Sequence, residues 1–309
     1  MPGLRFSVRL PKSARVVAPR VALCVALCAA LCTALLLSAC QRKKPIVIGT
    51  KSGSGQILLG EIVAQHLEAR LTGVKIERRP GTGGTPILFQ AIAGGEITIY
   101  PESTGVIATS ILKEPPSPDP AVVLERARLE MARIAQLDLL ELGFEDGPAM
   151  VIPAGGDGGE ITLSQAAQGK ARWKVAMTPD FEQSADFQAL NRYHLPLAAP
   201  LRSLEAAELF DALAQGGVNM VVTTASDGHL TTPQWKVLQD DKKAFPAQQV
   251  CLLVRQDRLA GEPGLRPALE ELYGKMTLDA MRKLNHQIEI DHTDVAAVAR
   301  QFLASVGLR

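Results

Sequence analysis

Ile46-Val47-Ile48-Gly49-Thr50-Lys51-Ser52-Gly53-Ser54-Gly55-Gln56 changes its period partway along. Ile46 to Ile48 have the apolar character of a short buried strand. Gly49 to Gly55 are small loop residues. From Gln56 onward Ile57, Leu58, Ile62, Val63, His66 and Leu67 fall at helical spacing. A strand, a Gly/Ser turn and a helix start therefore follow one another. A helix start carries unpaired backbone N–H groups and the positive end of the dipole. Glycine lets a ligand approach, and Ser54 is placed to cap the helix or donate to a solute. Lys51 stands at the strand end as a candidate ligand-facing cation.

The pattern recurs. Val74 to Glu77 read as a second strand, and Pro80-Gly81-Thr82-Gly83-Gly84-Thr85 turns the chain into a helix with Ile87, Leu88, Ala91 and Ile92. Ile97 to Tyr100 read as a third strand, and Pro101-Glu102-Ser103-Thr104-Gly105 opens a third helix. Repeated strand-turn-helix units predict an α/β fold with a parallel sheet. In such sheets ligands lie beyond the carboxyl ends of the strands. The turn at Gly83 is a candidate backbone cradle for an anion, or simply a tight turn. It is not a phosphate-binding P-loop, which needs Gly-Lys-Ser/Thr at a set spacing.

Farther along, Ala121 to Leu142 has a helical pattern that Gly143 would end as a C-cap. Ala149 to Ile152, Trp173 to Met177, Val218 to Val222 and Gln248 to Val254 read as strands. The last helices are expected at Leu265 to Lys275, Thr277 to Asn285 and Val295 to Leu303. The strands near 149–152 and 249–254 flank a middle αβ block. A chain that leaves one lobe and later returns to it predicts two lobes with a cleft between them: residues 45–147 with 249–309, and residues 148–248.

The N-terminus reads as an export signal. Arg5, Arg9, Lys12, Arg15 and Arg20 precede the apolar run Val21 to Leu37, which ends in Leu37-Ser38-Ala39-Cys40. Small residues directly before a cysteine fit a lipoprotein signal over residues 1–39, with lipidation at Cys40 and a tether over 40–44. A plain transmembrane anchor is the other reading; either places the domain outside the cytoplasm, at a membrane. Cys24, Cys28 and Cys32 fall in the removed segment, so Cys251 would stand alone, without an internal disulfide.

A net charge of +1 over 309 residues shows no nucleic-acid footprint. The histidines His66, His194, His229, His286 and His292 lack metal-ligand spacing. Nothing in the chain order brings Glu102, Asp186 and Asp227 together as acid and base, so no catalytic residue, cofactor or metal is expected.

Several of these stretches carry a resemblance: Ile46 to Lys51, Gly83-Gly84-Thr85, Glu96 to Gly105, Ser226-Asp227-Gly228, Leu253 to Asp257 and Gly274 through Asn285. In this order they resemble the substrate-binding proteins of ABC importers for glycine betaine, choline and carnitine, over about residues 45–309. The resemblance implies a two-lobed, type II periplasmic-binding-protein-like fold hinged at two crossover strands. It also implies a monomer that closes on a small solute, docks on importer membrane subunits and catalyses nothing. Family members hold a quaternary ammonium in aromatic rings by cation–π attraction. The matched positions here are Gly53, Ile57, Ser103 and Thr224, and the second-lobe loop Asp180-Phe181-Glu182-Gln183-Ser184 lacks the Arg that often stands there. The residues read above give candidate site positions at Lys51, Ser54 and Gly83, and Ser103, Thr104 and Thr224 stand at the matched cleft positions; the missing rings point to a different polar or anionic solute. Two rival expectations are a ligand-sensing lobe that signals to a membrane partner and an envelope enzyme on the same scaffold.

Overall fold

Ile46 and Ile48 enter one apolar cluster and Val47 enters another, so their short strand is buried on both faces. The same alternation recurs in Cys251 and Leu253 against Val250, Leu252 and Val254. Strands buried on both faces need helices on both sides, and the computed structural model has them. It describes residues 44–155 and 162–308. The signal segment, Cys40 and the tether up to residue 43 lie outside the described residues, as does most of the Gly-rich stretch after Ala154.

In chain order the elements are β1 (Ile46–Gly49), α1 (Ser54–Arg70), β2 (Ile76–Arg79), α2 (Thr85–Ala93), β3 (Ile99–Ser103) and α3 (Thr104–Val106), which runs into a π-turn at Ile107–Ile111. Then come α4 (Pro120–Ala135), β4 (Leu137–Glu145), β5 (Pro148–Pro153), α5 (Leu163–Gln168), β6 (Val175–Met177), α6 (Pro179–Glu182), α7 (Ala185–Leu190) and β7 (Arg202–Ser203). They are followed by α8 (Leu209–Ala214), β8 (Met220–Thr224), β9 (Trp235–Leu238), β10 (Gln249–Arg255), α9 (Gln256–Gly261), α10 (Leu265–Glu270), α11 (Leu278–Glu289) and α12 (Val295–Ser305).

Two five-stranded sheets result, ordered β2-β1-β3-β10-β4 and β7-β6-β8-β5-β9. In the first, β1, β2 and β3 are parallel, as the repeated units predict, while β10 runs antiparallel to both β3 and β4. In the second, β6, β7 and β8 are parallel, and β5 is antiparallel to β8 and β9. The chain passes between the sheets twice, at residues 146–147 and again at 239–248. Helices α10, α11 and α12 return to the first lobe, where Leu265, Leu269, Met281, Val298 and Phe302 join the cluster under α1. Each such buried apolar side chain contributes on the order of 1.5–3 kcal/mol. No helix among the described residues is long and apolar enough to cross a membrane.

One stretch changes type from the sequence reading. The helix expected over Ala121 to Leu142 stops at Ala135, and Leu137–Glu145 is strand β4. Asp119 caps the helix at its start, accepting from the amides of Ala121 and Val122, with Pro120 in the first turn. Gln136 ends it in the left-handed region at φ 54°. Beyond it the apolar residues alternate as in a strand. Gly143 is no C-cap: it lies within β4 at φ +89°, where an added Cβ would come within 2.8 Å of the Gly274 amide nitrogen.

Candidate functional site

The loops that follow β1, β2, β3, β6 and β8 each lead from the carboxyl end of a strand into a helical turn, and bonds from the end of β3 and from the residues after β8 join the two lobes. Glu102, near the end of β3, is 1 % exposed. A buried carboxylate is costly unless it is paired and hydrogen-bonded. Here it receives the Lys51 ammonium at 2.7 Å, the Thr85 hydroxyl at 2.8 Å and the Ser103 amide at 3.0 Å. Lys51 is thus the internal counter-ion of Glu102 rather than a free cation. Cys251 donates to the Glu102 carbonyl at 3.2 Å and is fully buried, and burial pushes its thiol pKa well up.

Ser54 does not cap α1. The N-cap is Gly53, with no side-chain cap, and Ser54 donates its hydroxyl to Glu289 on α11. Gly83 has φ +146°, and a Cβ there would meet the side chain of Ile87 at 2.8 Å, so glycine is required by the turn itself. Thr104 is fully buried, with its hydroxyl 3.4 Å from the Ala247 carbonyl. Thr224 is exposed, and its hydroxyl lies 3.4 Å from that of Ser226.

Ser103 joins a chain of groups between the lobes. Its hydroxyl donates to Gln248 Oε1 at 2.6 Å, and Gln248 Nε2 donates to the two carboxylate oxygens of Asp186 at 3.2 and 3.4 Å. Gln248 belongs to the second crossover and Asp186 to the first turn of α7, so one amide bridges β3 of the first lobe to a helix of the second. Burial drives the Asp186 pKa up to about 6, against a lowering by the Gln248 bond.

A second set of bonds docks the residues after β8 onto α11. Gly228 donates its amide to Glu289 at 2.8 Å, Asn285 donates to the Ser226 carbonyl at 2.8 Å, and Arg282 donates to the Ala225 carbonyl at 2.7 Å. The Ser226 amide and hydroxyl donate to Asp146, in the first crossover, at 2.9 and 2.7 Å. Burial raises the Asp146 pKa even against those bonds. Burial and then repulsion by Asp227 raise that of Glu289. Burial is the largest effect on His229 and opposes its charged form, but the bond to Asp227 at 2.9 Å together with the charges of Asp227, Glu289 and Asp211 raises its pKa overall.

Asp227, His229 and Glu289 offer ligand atoms within 4.8 Å of one another, a grouping that histidine spacing along the chain does not reveal. Their atoms are engaged with one another and with Thr223, Ser54 and Gly228, so the trio is a hydrogen-bonded contact between lobes. His66 sits in the core, 2.8 Å from the Ala268 carbonyl. Glu102, Asp186 and Asp227 each have separate partners, and no acid–base pair forms among them. Asp186 was visible in the sequence only as an isolated acid. Gln248, Asp146 and Glu289 carried no local signal.

The family description for the substrate-binding domain of ABC-type glycine betaine transport systems matches residues 44–305. The chain is 27% identical over 274 residues to the ergothioneine transport permease/ergothioneine binding protein EgtU of Helicobacter pylori strain G27, covering 86% of this chain and 48% of that one. The chain therefore spans about half the length of that relative. It is 25% identical over 288 residues to the glycine betaine-binding protein YehZ of Escherichia coli strain K12, covering 86% of this chain and 92% of that one. Among solved structures, a glycine betaine/carnitine/choline ABC transporter superposes with a TM-score of 0.74 at 21% identity, covering 85% of this chain and 99% of that one. Apo YehZ from Escherichia coli superposes at 0.68 and 24% identity, covering 86% and 100%. The fold is that of the two-lobed periplasmic binding proteins.

Proposed function

The chain belongs to the family of substrate-binding domains of ABC-type glycine betaine transport systems, and from that membership we propose that it is an extracytoplasmic, lipid-anchored receptor that hands a small polar solute to importer membrane subunits. The observation that carries this reading is the family match over residues 44–305, on a chain folded into two five-stranded sheets. Lipidation at Cys40, a monomeric state, and lobes divided at residues 45–147 with 249–309 and 148–248 are parts of the same proposal.

The solute is held where Ser103, Thr104 and Thr224 approach the junction, with backbone amides near Gly83 and the α1 start around Ser54. It is not a caged trimethylammonium compound. The matched positions Gly53, Ile57, Ser103 and Thr224 offer no ring, and each missing cation–π contact costs about 0.5–2 kcal/mol. The nearby rings of Phe181 and Phe187 pack edge to face at 6.2 Å and lie against the core of the second lobe. An anionic solute has weak support, because the Lys51 charge is matched by Glu102. Native mass spectrometry of the purified chain, followed by identification of the retained small molecule, tests the reading. A retained solute that also compacts the protein in small-angle scattering supports it. Scattering unchanged by a bound solute would remove the closing-lobe part.

A further inference from the structure

At the junction of the lobes Glu102, buried, and Asp186, half-buried, are treated in opposite ways. Glu102 is neutralised from within the chain by Lys51, Thr85 and the Ser103 amide. Asp186 has no Lys, Arg or His within ion-pair distance among the described residues, and its recorded partner is a neutral amide at 3.2 and 3.4 Å. A carboxylate offers about four lone-pair sites, so two long bonds from one amide leave most of its accepting capacity unused.

Accepting groups line up beside it. Ser103 gives its proton to Gln248 Oε1, which turns the Gln248 amide toward Asp186 and leaves the Ser103 oxygen as an acceptor. Ser184 accepts from the Phe187 amide at 3.2 Å as the cap of α7, and as a neutral side chain it brings no positive charge. The local polarity is that of a receptor for donors.

We propose that Asp186, held by Gln248 beside Ser103, is the charge-selecting group of the solute site and takes a cationic group bearing N–H donors: a protonated amine, a guanidinium or an imidazolium. This rests on the solute-receptor reading above. Such a cation supplies the counter-charge that the chain withholds from Asp186, and its N–H groups reach both Asp186 and the Ser103 oxygen. A trimethylammonium group has the charge without the donors, and no ring cage replaces them. The raised pKa of Asp186 agrees with a carboxylate awaiting a partner.

The test titrates the purified full chain with ethanolamine, agmatine, histamine, choline, glycine betaine and succinate, by calorimetry, in the wild type and in Asp186→Asn. Native mass spectrometry of the same sample identifies any retained solute. At least one of ethanolamine, agmatine and histamine is expected to bind, and Asp186→Asn should weaken it at least tenfold. Wild-type selectivity for these three over choline is a second measurement that needs no variant. Binding of choline, glycine betaine or succinate in preference to the three, or an Asp186→Asn effect under twofold on whichever probe binds, overturns the assignment and leaves the receptor reading standing. A retained solute is judged by the same rule: with an N–H cation it supports the assignment, without one it overturns it. No binding by any probe together with no retained solute overturns the receptor reading itself.

Discussion

Lys51 holds its ammonium 2.7 Å from Oε1 of Glu102, a residue 51 positions away that is almost wholly withdrawn from water. The pair joins the loop after β1 to the end of β3 and places two helix starts side by side. Removing one member of a buried pair strands the other charge, at about 3–5 kcal/mol. Lys51 is itself 24% exposed, so Lys51→Met should lose about 3 kcal/mol in urea unfolding. The double variant Lys51→Met/Glu102→Gln should recover most of that loss. A single variant as stable as wild type would refute a stabilising role for this pair.

Gly228 abuts α11 so closely that a Cβ would lie 2.4 Å from the His286 amide nitrogen and 2.6 Å from the Asn285 carbonyl carbon. Both are main-chain atoms of a helix and cannot swing aside. Gly228→Ala should therefore push the lobes apart at this contact, disrupting the bond from Gly228 to Glu289. Overpacking of this kind costs about 1–3 kcal/mol. Hydrogen exchange should rise at residues 226–231 and along α11, and unchanged protection there would refute the close approach.

Asp186 carries a stability prediction with a defined sign. Its folded pKa is about 6, against 3.8 for the free group. Between those values the folded state binds more protons than the unfolded one, so the Asp186 contribution falls as pH rises from about 4 to about 6. Above that window the charged group destabilises the fold by on the order of 2–3 kcal/mol, and below about pH 4 it does not. Gln248 is the partner recorded for it, with no ion pair among the described residues. Asp186→Asn should raise the unfolding midpoint at pH 7.5 and leave it near wild type at pH 3.5. A lowered midpoint at pH 7.5 would mean that the charge is already matched.

Gly53, Ile57, Ser103 and Thr224 cannot form a ring cage. Calorimetry with glycine betaine, choline and carnitine should find no micromolar binding, since three lost cation–π contacts amount to several powers of ten at about 1.4 kcal/mol per tenfold. Micromolar affinity for any of the three would mean that rings such as Tyr193 or Trp235 reach the solute.

Cys40→Ala should abolish lipid anchoring, because Leu37-Ser38-Ala39 precede a cysteine that would carry the lipid. Fractionated cells should show the variant released from membranes or held as an uncleaved precursor. Unchanged processing and membrane retention would remove the lipoprotein reading.

The α/β class was legible in the chain because apolar period is a local property. Ile46 to Ile48 against Leu58, Ile62 and Val63 distinguishes strand from helix without reference to any distant residue. Turn chemistry was local too, and placed the loops at Gly53 and Gly83 where the structure has helix starts, while Pro101 to Ser103, read as opening the third helix, still belong to β3. The boundary of α4 was not legible, because Leu139 and Leu142 fit a helix and a strand alike until Gln136 turns left-handed and β10 supplies a partner for β4. The roles of the polar residues came from tertiary structure alone. Lys51 reads as a candidate ligand-facing cation until Glu102 arrives from 51 residues away. Ser54 reads as a helix cap until Glu289 arrives from 235 away, and Asp186 reads as an isolated acid until Gln248 arrives from 62 away. Hydrogen bonds and ion pairs act over about 3 Å in space with no period along the chain, so only the packing of the two sheets determines which polar groups are matched and which are left unmatched.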